Sequence, residues 1–514
     1  MRIKNVMRNS FFGLLGQIVL ILIGFVSQRV LNLKLGEALV GLNGVVSNII
    51  AILSVTELGV STAVVYNLYQ ALAAHDEATI AGLMNLYRRA YNVFAAVITG
   101  LGLLVAPFVH LFLKDNPFSL GYVRLIYVLW LARTTLSYLL SFRRSILIAD
   151  QQEYIVSIVT LLVNILNYSA VIFLVEFTGN YAFALFVNIA FEAAGNLWIS
   201  GYVQKKYPYL RKLRGKPLKN ELKHSVFANI KNIFVVRLAS KLLVSTDNVI
   251  VSGFIGVAFA GLYNNYCLIT SALTNLALAL SSAIQPSVGA MFVEKDYGKD
   301  EKMLRLMTFL FFLFGASAGC GVYAASNPFV GDFWLGRGYV LGRDVVGVCV
   351  FNFYILVLSF PVATVMGVTG LFGQEKNIAV ASALCNMALS LGLVRVWGIF
   401  GVLAGTLAAY ALQMGCRIFV FYRKYLNISM REYVRELAEY VALGLAEAAL
   451  VGLLGAKAYR PGSVLRFVLL GILSGGLPLL LNLAVYCKSE RMRSILTLLR
   501  AGSVRRQAKG GQTG

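Results

Sequence analysis

Residues 35–43 read LGEALVGLN, and residues 255–264 read IGVAFAGLYN. Each stretch has an aliphatic residue followed by Gly, then a Gly-Leu pair after four residues, and then Asn. The offset between the two is 220, and it becomes 221 at the asparagine. Further matches follow in the same order: Glu153 with Glu375 and Asn164 with Asn386 at an offset of 222, and the pair Lys-Tyr at 206–207 and 424–425 at 218. Matches in the same order at offsets of 218–222 indicate a duplicated unit.

The composition around these motifs is that of a membrane protein. The chain has 514 residues, of which 58% are hydrophobic and 13% are charged, whereas about a quarter of the residues are charged in soluble domains. Long apolar runs predict about fourteen transmembrane helices. They lie near residues 10–31, 38–62, 90–113, 118–140, 154–176, 180–203, 225–255, 258–286, 304–327, 344–369, 377–394, 398–421, 437–455 and 464–487.

The distribution of Lys and Arg predicts the orientation of these spans. If both ends are cytoplasmic, 32 of the 46 basic residues lie in inner segments and nine in outer segments. That bias predicts cytoplasmic termini. The basic residues of the inner segments also supply most of the net charge of +23, and they would be attracted to anionic membrane lipids. Their scatter over short inner loops argues against a nucleic-acid partner.

The repeat and the spans together predict the domain organisation. The segments are an N-terminal six-helix lobe (1–203), a basic cytoplasmic linker (204–223), a C-terminal six-helix lobe (224–425), two additional transmembrane helices (426–487) and a basic, disordered cytoplasmic tail (488–514). Each repeat starts and ends inside, so the repeats are parallel. We therefore predict an all-α polytopic membrane protein whose two parallel six-helix repeats face a central cavity, as in several secondary transporters.

Polar residues form stripes on several predicted helices. In the second and eighth spans Asn43 corresponds to Asn264, and Asn275 continues the stripe of the eighth. In the sixth span Asn188, Glu192 and Asn196 follow one another at i, i+4 and i+8. One interpretation is that these side chains hydrogen-bond neighbouring helices. As sets, they favour the lining of a cavity.

The seventh span contains the strongest polar signal. Residues 236–249 read VRLASKLLVSTDNV, with Arg237, Lys241 and Asp247 inside an apolar run. A charge at the centre of a membrane helix costs at least about 2.5–3.5 kcal/mol, so such residues are functional candidates.

Further charged residues lie in or near the spans. Arg29 and Arg133 add positive charge, whereas Glu57 and Glu192 are acidic. Internal ion pairs, such as Asp247 with Arg29 or Glu57 with Arg133, would explain part of this pattern. The basic residues outnumber the acidic ones, however, and guanidinium groups match phosphate and pyrophosphate. The excess therefore predicts an anionic substrate.

The chain resembles the polysaccharide transporter family of bacterial flippases, the Wzx-type exporters of lipid-linked repeat units. They belong to the multidrug/oligosaccharidyl-lipid/polysaccharide exporter superfamily, together with the multidrug extruders and the lipid II flippases. The resemblance covers about residues 1–425 well and the last two spans loosely. The stretches that carry it are LGEALVGLNGVVSNIIAILSVTELGVSTAVVYNLY (35–69), IADQQEYI (148–155), STDNVIVSGFIGVAFAGLYNNY (245–266) and LFGQEKN (371–377).

The resemblance implies alternating access and an undecaprenyl-pyrophosphate-linked oligosaccharide, moved from the inner to the outer leaflet of a bacterial plasma membrane for cell-surface polysaccharide biosynthesis. A polysaccharide polymerase and glycosyltransferases would be its partners. The expected substrate contacts are Arg237 and Lys241, then Arg133 and Arg29, with the asparagines of the stripes (43, 264 and 275). The ion-coupling candidates are Asp247, Glu57 and Glu192.

Other functions remain as alternatives. Lipid II flippases typically carry several arginines on the first, second and eighth helices, whereas this chain has Arg29 on the first, Glu57 on the second and none on the eighth, which argues against lipid II. A cation-coupled multidrug exporter conflicts with the excess of basic residues. A membrane glycosyltransferase or polymerase would need a catalytic loop, and a passive scaffold would tolerate changes in the cavity. The sequence contains no P-loop and no clustered metal ligands, so we predict a non-enzymatic protein without a cofactor.

Overall fold

The computed structural model describes residues 2–54, 68–69, 71–72, 74–212, 220–292, 294–458, 462–489 and 491–493. Within them the chain forms helices joined by short connections. The helices are α1 (Arg2–Leu53), α2 (Glu77–Val105), α3 (Leu120–Ser141), α4 (Arg144–Ala149), α5 (Glu153–Thr178), α6 (Tyr181–Lys206), α7 (Tyr209–Lys212), α8 (Asn220–Phe254), α9 (Val257–Phe292), α10 (Tyr297–Pro328), α11 (Arg343–Leu358), α12 (Phe360–Val368), α13 (Phe372–Trp397), α14 (Ile399–Val420), α15 (Arg431–Ala458) and α16 (Val464–Val485). Short 3₁₀ or π turns occupy Ala106–Phe112, Phe329–Trp334, Arg337–Tyr339 and Phe421–Leu426.

The predicted all-α polytopic fold is confirmed. Among the described residues, 12 helices are long and apolar enough to cross a bilayer. One of them is the Val19–Leu53 part of α1, in which two helices meet at Gly36 (φ 81°, ψ 167°), so α1 accounts for the first two predicted spans. Helix α8 is not among the twelve because it carries three charged residues in its apolar part. Dividing α1 and adding α8 gives the fourteen predicted spans.

The chain divides into two compact units. The N unit comprises Met1–Asn265 with Met387–Val402, and the C unit comprises Tyr266–Asn386 with Leu403–Gly514. In the N unit α1 packs against α5 and α8, while α3 packs against α2 and α6. The core of this unit includes the fully buried Leu42, Val45, Ile126 and Tyr127. The predicted lobes, 1–203 and 224–425, are defined by the sequence repeat and stay a prediction.

In the C unit α10 is the central helix, and α11, α15 and α16 pack against it. Cys320 and Ala324 of α10 form a buried cluster with Val451 of α15 and Leu470 of α16. The rings of Phe312 and Tyr440 stack with their centroids 4.2 Å apart. The two helices that follow the repeat are therefore packed into the core of this unit.

The repeated glycines lie at a helix crossing inside the N unit. A Cβ atom on Gly41 would lie 1.9 Å from the carbonyl oxygen of Val257, and a Cβ on Gly261 would lie 1.9 Å from that of Glu37. Val257 and Gly261 are Glu37 and Gly41 shifted by the repeat offset of 220. Equivalent residues of the two copies thus contact each other reciprocally, as a two-fold relation between the copies requires. Only glycine permits this approach of the two backbones.

The end of α6 is held by Asp150, which follows α4. Its Oδ2 accepts hydrogen bonds from Lys206 Nζ at 3.0 Å and Tyr207 Oη at 2.5 Å. Burial, together with this carboxylate, raises the pKa of Tyr207, and burial raises the pKa of Tyr209 to about 12. The Tyr207 phenol is therefore neutral and donates to Asp150 at physiological pH. Residues 213–219 of the predicted linker and 494–514 of the predicted tail lie outside the described residues.

Candidate functional site

The accessible face of α8 carries the two basic residues of the opening motif. Arg237 is exposed, Lys241 is partly exposed, and Val244 on the same face is 60% exposed. Neither basic side chain has a hydrogen-bond or ion-pair partner among the described residues. Their charged groups are therefore accessible to an anionic ligand that is not part of the N unit.

The flanks of the same helix are buried. Ser245 is fully buried and Asp247 is 7% exposed. The polar residues of α8 therefore fall into two groups: an accessible basic strip, Arg237 and Lys241, and a buried pair, Ser245 and Asp247. Because Asp247 is buried in the N unit, its role as an ion-coupling residue stays a prediction that depends on access to the carboxylate.

The predicted asparagines lie in different environments. Asn43 Oδ1 accepts hydrogen bonds from Trp130 Nε1 at 2.8 Å and Tyr181 Oη at 2.7 Å, which ties α1 to α3 and α6. Asn264 accepts a longer hydrogen bond of 3.4 Å from Asn248. Asn275 is exposed. Asn43 therefore has the helix-bridging contacts that the sequence left open as an alternative, whereas Asn275 remains available to a ligand.

Arg133 and Glu192 form an ion pair that joins α3 to α6. The Nε atom of Arg133 lies 2.6 Å from Oε2 of Glu192, and both side chains are about a quarter exposed, at 25% and 22%. The guanidinium also lies over the Trp130 ring, 5.2 Å from its centroid. The structure thus pairs a predicted substrate contact with a predicted ion-coupling residue. Of the remaining candidates, Arg29 is exposed near the middle of α1, and Glu57 lies outside the described residues.

A small cavity of about 80 Å³ adjoins this ion pair. It is enclosed by α3, α4, α5 and α6 of the N unit, and its lining residues are Arg133, Arg144, Val159, Thr160, Val163, Asn164, Asn167, Glu192 and Gly195. Arg144 Nη2 donates to Asn196 Oδ1 at 2.6 Å at its edge. Thr160, Asn164 and Asn167 lie on one face of α5 at helical spacing, a stripe that inspection of the fifth span would have revealed.

Sequence reasoning missed a buried carboxylate in the C unit. Glu447 of α15 is 6% exposed in an apolar span, beside Asn482 of α16 and near Tyr354 of α11. Because α15 lies outside the repeat, Glu447 has no counterpart in the first copy that would have marked it in the sequence. Between Glu439 and Lys457 it is the one charged residue in an apolar run, which is a sufficient signal under the general rule for ionisable residues inside membranes.

A second charged cluster, also missed, joins the start of α10 to the start of α15. Arg305 lies 2.8 Å from Glu301, 3.1 Å from Glu432 and 3.1 Å from Glu436. Arg491, beyond α16, lies 2.5 Å from Glu436. These contacts fix the additional helices to the repeat. Among the described residues there is no group of His, Cys, Asp and Glu that would hold a metal ion.

The architecture is that of a class of solved membrane transporters. No family model and no curated protein matches the chain. Solved structures of the MOP superfamily do match: the fold is shared with a multidrug resistance MATE family transporter in its inward-facing conformation, at a TM-score of 0.63 and 14% identity over 79% of this chain and 94% of that one. A MATE transporter from Vibrio cholerae matches with a TM-score of 0.59 and 14% identity over 82% of this chain and 98% of that one.

The lipid II flippase MurJ, in an inward closed conformation, shares the fold over more of the chain. Its TM-score is 0.64 at 13% identity, over 93% of this chain and 99% of that one. These neighbours are transporters, and the chain is a multi-pass helical membrane protein with their fold. The likeness at this level of identity concerns the fold, and the cargo has to be argued from this chain's own residues.

Proposed function

We propose that the protein is a secondary transporter that flips an undecaprenyl-pyrophosphate-linked oligosaccharide from the inner to the outer leaflet of a bacterial plasma membrane. The observation that carries the proposal is the accessible basic strip of α8. Arg237 and Lys241 lie in α8, which the sequence predicts to span the membrane, and neither has a partner among the described residues. A diphosphate supplies the charge and the acceptor oxygens that such a pair requires.

The extent of the fold likeness supports a flippase over a drug exporter. The flippase likeness spans 93% of this chain, whereas the two MATE likenesses span 79% and 82%. The MATE structures leave about a fifth of this chain unmatched. That fraction is large enough to contain residues 426–514, the two additional helices and the tail. A cationic drug would also be repelled by the basic strip.

The cellular test removes the basic strip. In cells that depend on this protein for surface polysaccharide, we expect the double substitution R237A/K241A to lower export at least about tenfold. Each charge-assisted hydrogen bond contributes about 1.5–3 kcal/mol, and 1.4 kcal/mol corresponds to a factor of ten. Lipid-linked repeat units should accumulate in the inner leaflet while surface polymer is lost.

The matched control is R124A, which removes one exposed arginine from α3 without touching the basic strip. It should leave export unchanged at equal expression. Normal polymer output from well-expressed R237A/K241A protein would contradict the proposal, and an equal loss from R124A would show that the effect reflects net charge alone.

Lipid II is the second candidate cargo, favoured by the extent of the likeness to MurJ. Lipid II carries the same type of pyrophosphate group, so the basic strip serves either cargo. The two are distinguished by complementation: a lipid II flippase would restore growth to cells depleted of their own, whereas a flippase for another repeat unit would restore surface polymer alone.

A further inference from the structure

We propose that the cavity enclosed by α3, α4, α5 and α6 of the N unit binds a small monovalent inorganic anion of the chloride type. The site is separate from the basic strip of α8, and the inference does not depend on the identity of the transported lipid.

The size of the cavity restricts its occupant to something small. Its volume is about 80 Å³, whereas pockets for drug-sized ligands run from about 300 to 1,000 Å³. One water molecule takes about 30 Å³ in the liquid. The space is thus of the size that a small ion with one or two waters would fill, and it is well below that of a drug-sized pocket.

The lining contains a polar side chain that the described residues do not satisfy. Asn167 is 5% exposed, and neither its Nδ2 nor its Oδ1 has a hydrogen-bond partner among them. The buried hydroxyl of Thr160, on the same face of α5, also lacks one. A buried polar group without a partner costs about 1–3 kcal/mol, so two such groups lining one cavity indicate that a ligand or ordered water completes them.

The charges that line the cavity favour an anion. Among the described residues, the lining contains two guanidinium groups, Arg133 and Arg144, and one carboxylate, Glu192. Of Arg133, only Nε donates to Glu192. Together with the Asn167 amide and the Thr160 hydroxyl, the terminal nitrogens of Arg133 provide N–H and O–H donors around the space, as an anion requires.

The second copy of the repeat provides an internal comparison. Asn386, the counterpart of Asn164, is fully buried and donates to Thr406 Oγ1 at 2.9 Å. Asn386 is thus satisfied by a protein atom, whereas Asn164 lines the cavity.

The test measures thermal unfolding of the purified full-length protein in detergent at constant ionic strength. Starting from sodium gluconate, chloride or bromide is titrated in, and choline chloride replaces sodium chloride in a parallel series. We expect a saturable rise in the unfolding midpoint that follows the anion and is the same for both cations, because a ligand that binds only the folded state stabilises it by mass action. Crystals grown in bromide should show anomalous scattering in the cavity.

Two variants and one control assign the effect to this site. Asn167→Leu removes the unpartnered amide, and Thr160→Val removes the unpartnered hydroxyl with almost no change of shape. Each should raise the half-saturating anion concentration at least about tenfold. Asn352→Leu is the matched control, because Asn352 is a 7% exposed asparagine of α11 in the C unit that does not line the cavity. If Asn167→Leu fails to fold, Thr160→Val carries the test.

Three results would overturn the proposal. Stabilisation that follows sodium in place of the anion would identify a cation site. The absence of any saturable ion effect would identify a water-filled cavity. An anion effect that Asn167→Leu and Thr160→Val leave intact, or that Asn352→Leu abolishes equally, would place the anion elsewhere.

Discussion

At the scale of single residues, similar sequence signals lead to different roles. Asn43 and Asn275 were predicted on the same grounds, yet Asn43 bridges Trp130 and Tyr181 while Asn275 is exposed. Helical projection gives the face of a residue but not the neighbour that the face meets. For the same reason the pairing of Arg133 with Glu192, 59 residues away, could not be read from the sequence, which offered Glu57 as the partner.

The Arg133–Glu192 contact yields a prediction on stability. Removing one partner leaves a charge within a spanning unit without its counter-charge, so R133A or E192A alone should each lower the free energy of unfolding by about 1.5–3 kcal/mol. The double variant R133A/E192A should lose less than the sum. Equilibrium unfolding in mixed micelles gives the four values of this double-mutant cycle.

The R133A/E192A cycle has a clear contrary outcome. Strict additivity of the two single substitutions, within about 0.3–0.5 kcal/mol, would mean that the ion pair contributes nothing to folding. Glu192 would then be free to act as an ion-coupling residue without a structural penalty.

At the scale of elements, the sequence repeat identified the glycines of a close helix crossing in the N unit. Gly36 and Gly256, equivalent by the repeat, both adopt positive φ angles, 81° and 153°, before the helical segments that cross at Gly41 and Gly261. The offset of 220 was visible in the sequence because glycine is irreplaceable at such positions. The contact between the two copies could not be predicted from the sequence, because a repeat shows which residues are equivalent but not which residues are close in space.

The glycine crossing predicts a strong steric effect. Gly41→Ala and Gly261→Ala each place a methyl group 1.9 Å from a carbonyl oxygen, so each should lower the free energy of unfolding by about 1–3 kcal/mol or more. Gly201→Ala in α6 is the control, since a Cβ there meets nothing within 4 Å. Thermal unfolding of the three purified variants checks the prediction, and wild-type stability of Gly41→Ala would exclude the reciprocal contact.

At the scale of the whole molecule, hydropathy and charge counting predicted the fold class, because in a bilayer the backbone must satisfy its own hydrogen bonds and helices do so. The division of α1 at Gly36 and the charged α8 explain why fourteen predicted spans correspond to 12 apolar helices. The additional helices α15 and α16 were predicted as spans, but the roles of Glu447 and Arg305 within their packing were not. Those roles depend on tertiary neighbours that the repeat could not supply.

The most direct test of the central claim is a flipping assay with the purified protein in liposomes. An undecaprenyl-pyrophosphate-linked oligosaccharide is placed in both leaflets, and its exposure to an external sugar-cleaving enzyme is followed over time. We predict that the wild-type protein and R124A expose the inner-leaflet pool much faster than protein-free liposomes, and that R237A/K241A slows this exposure at least about tenfold. A wild-type rate equal to that of empty liposomes, or an undiminished rate for R237A/K241A, would contradict the account.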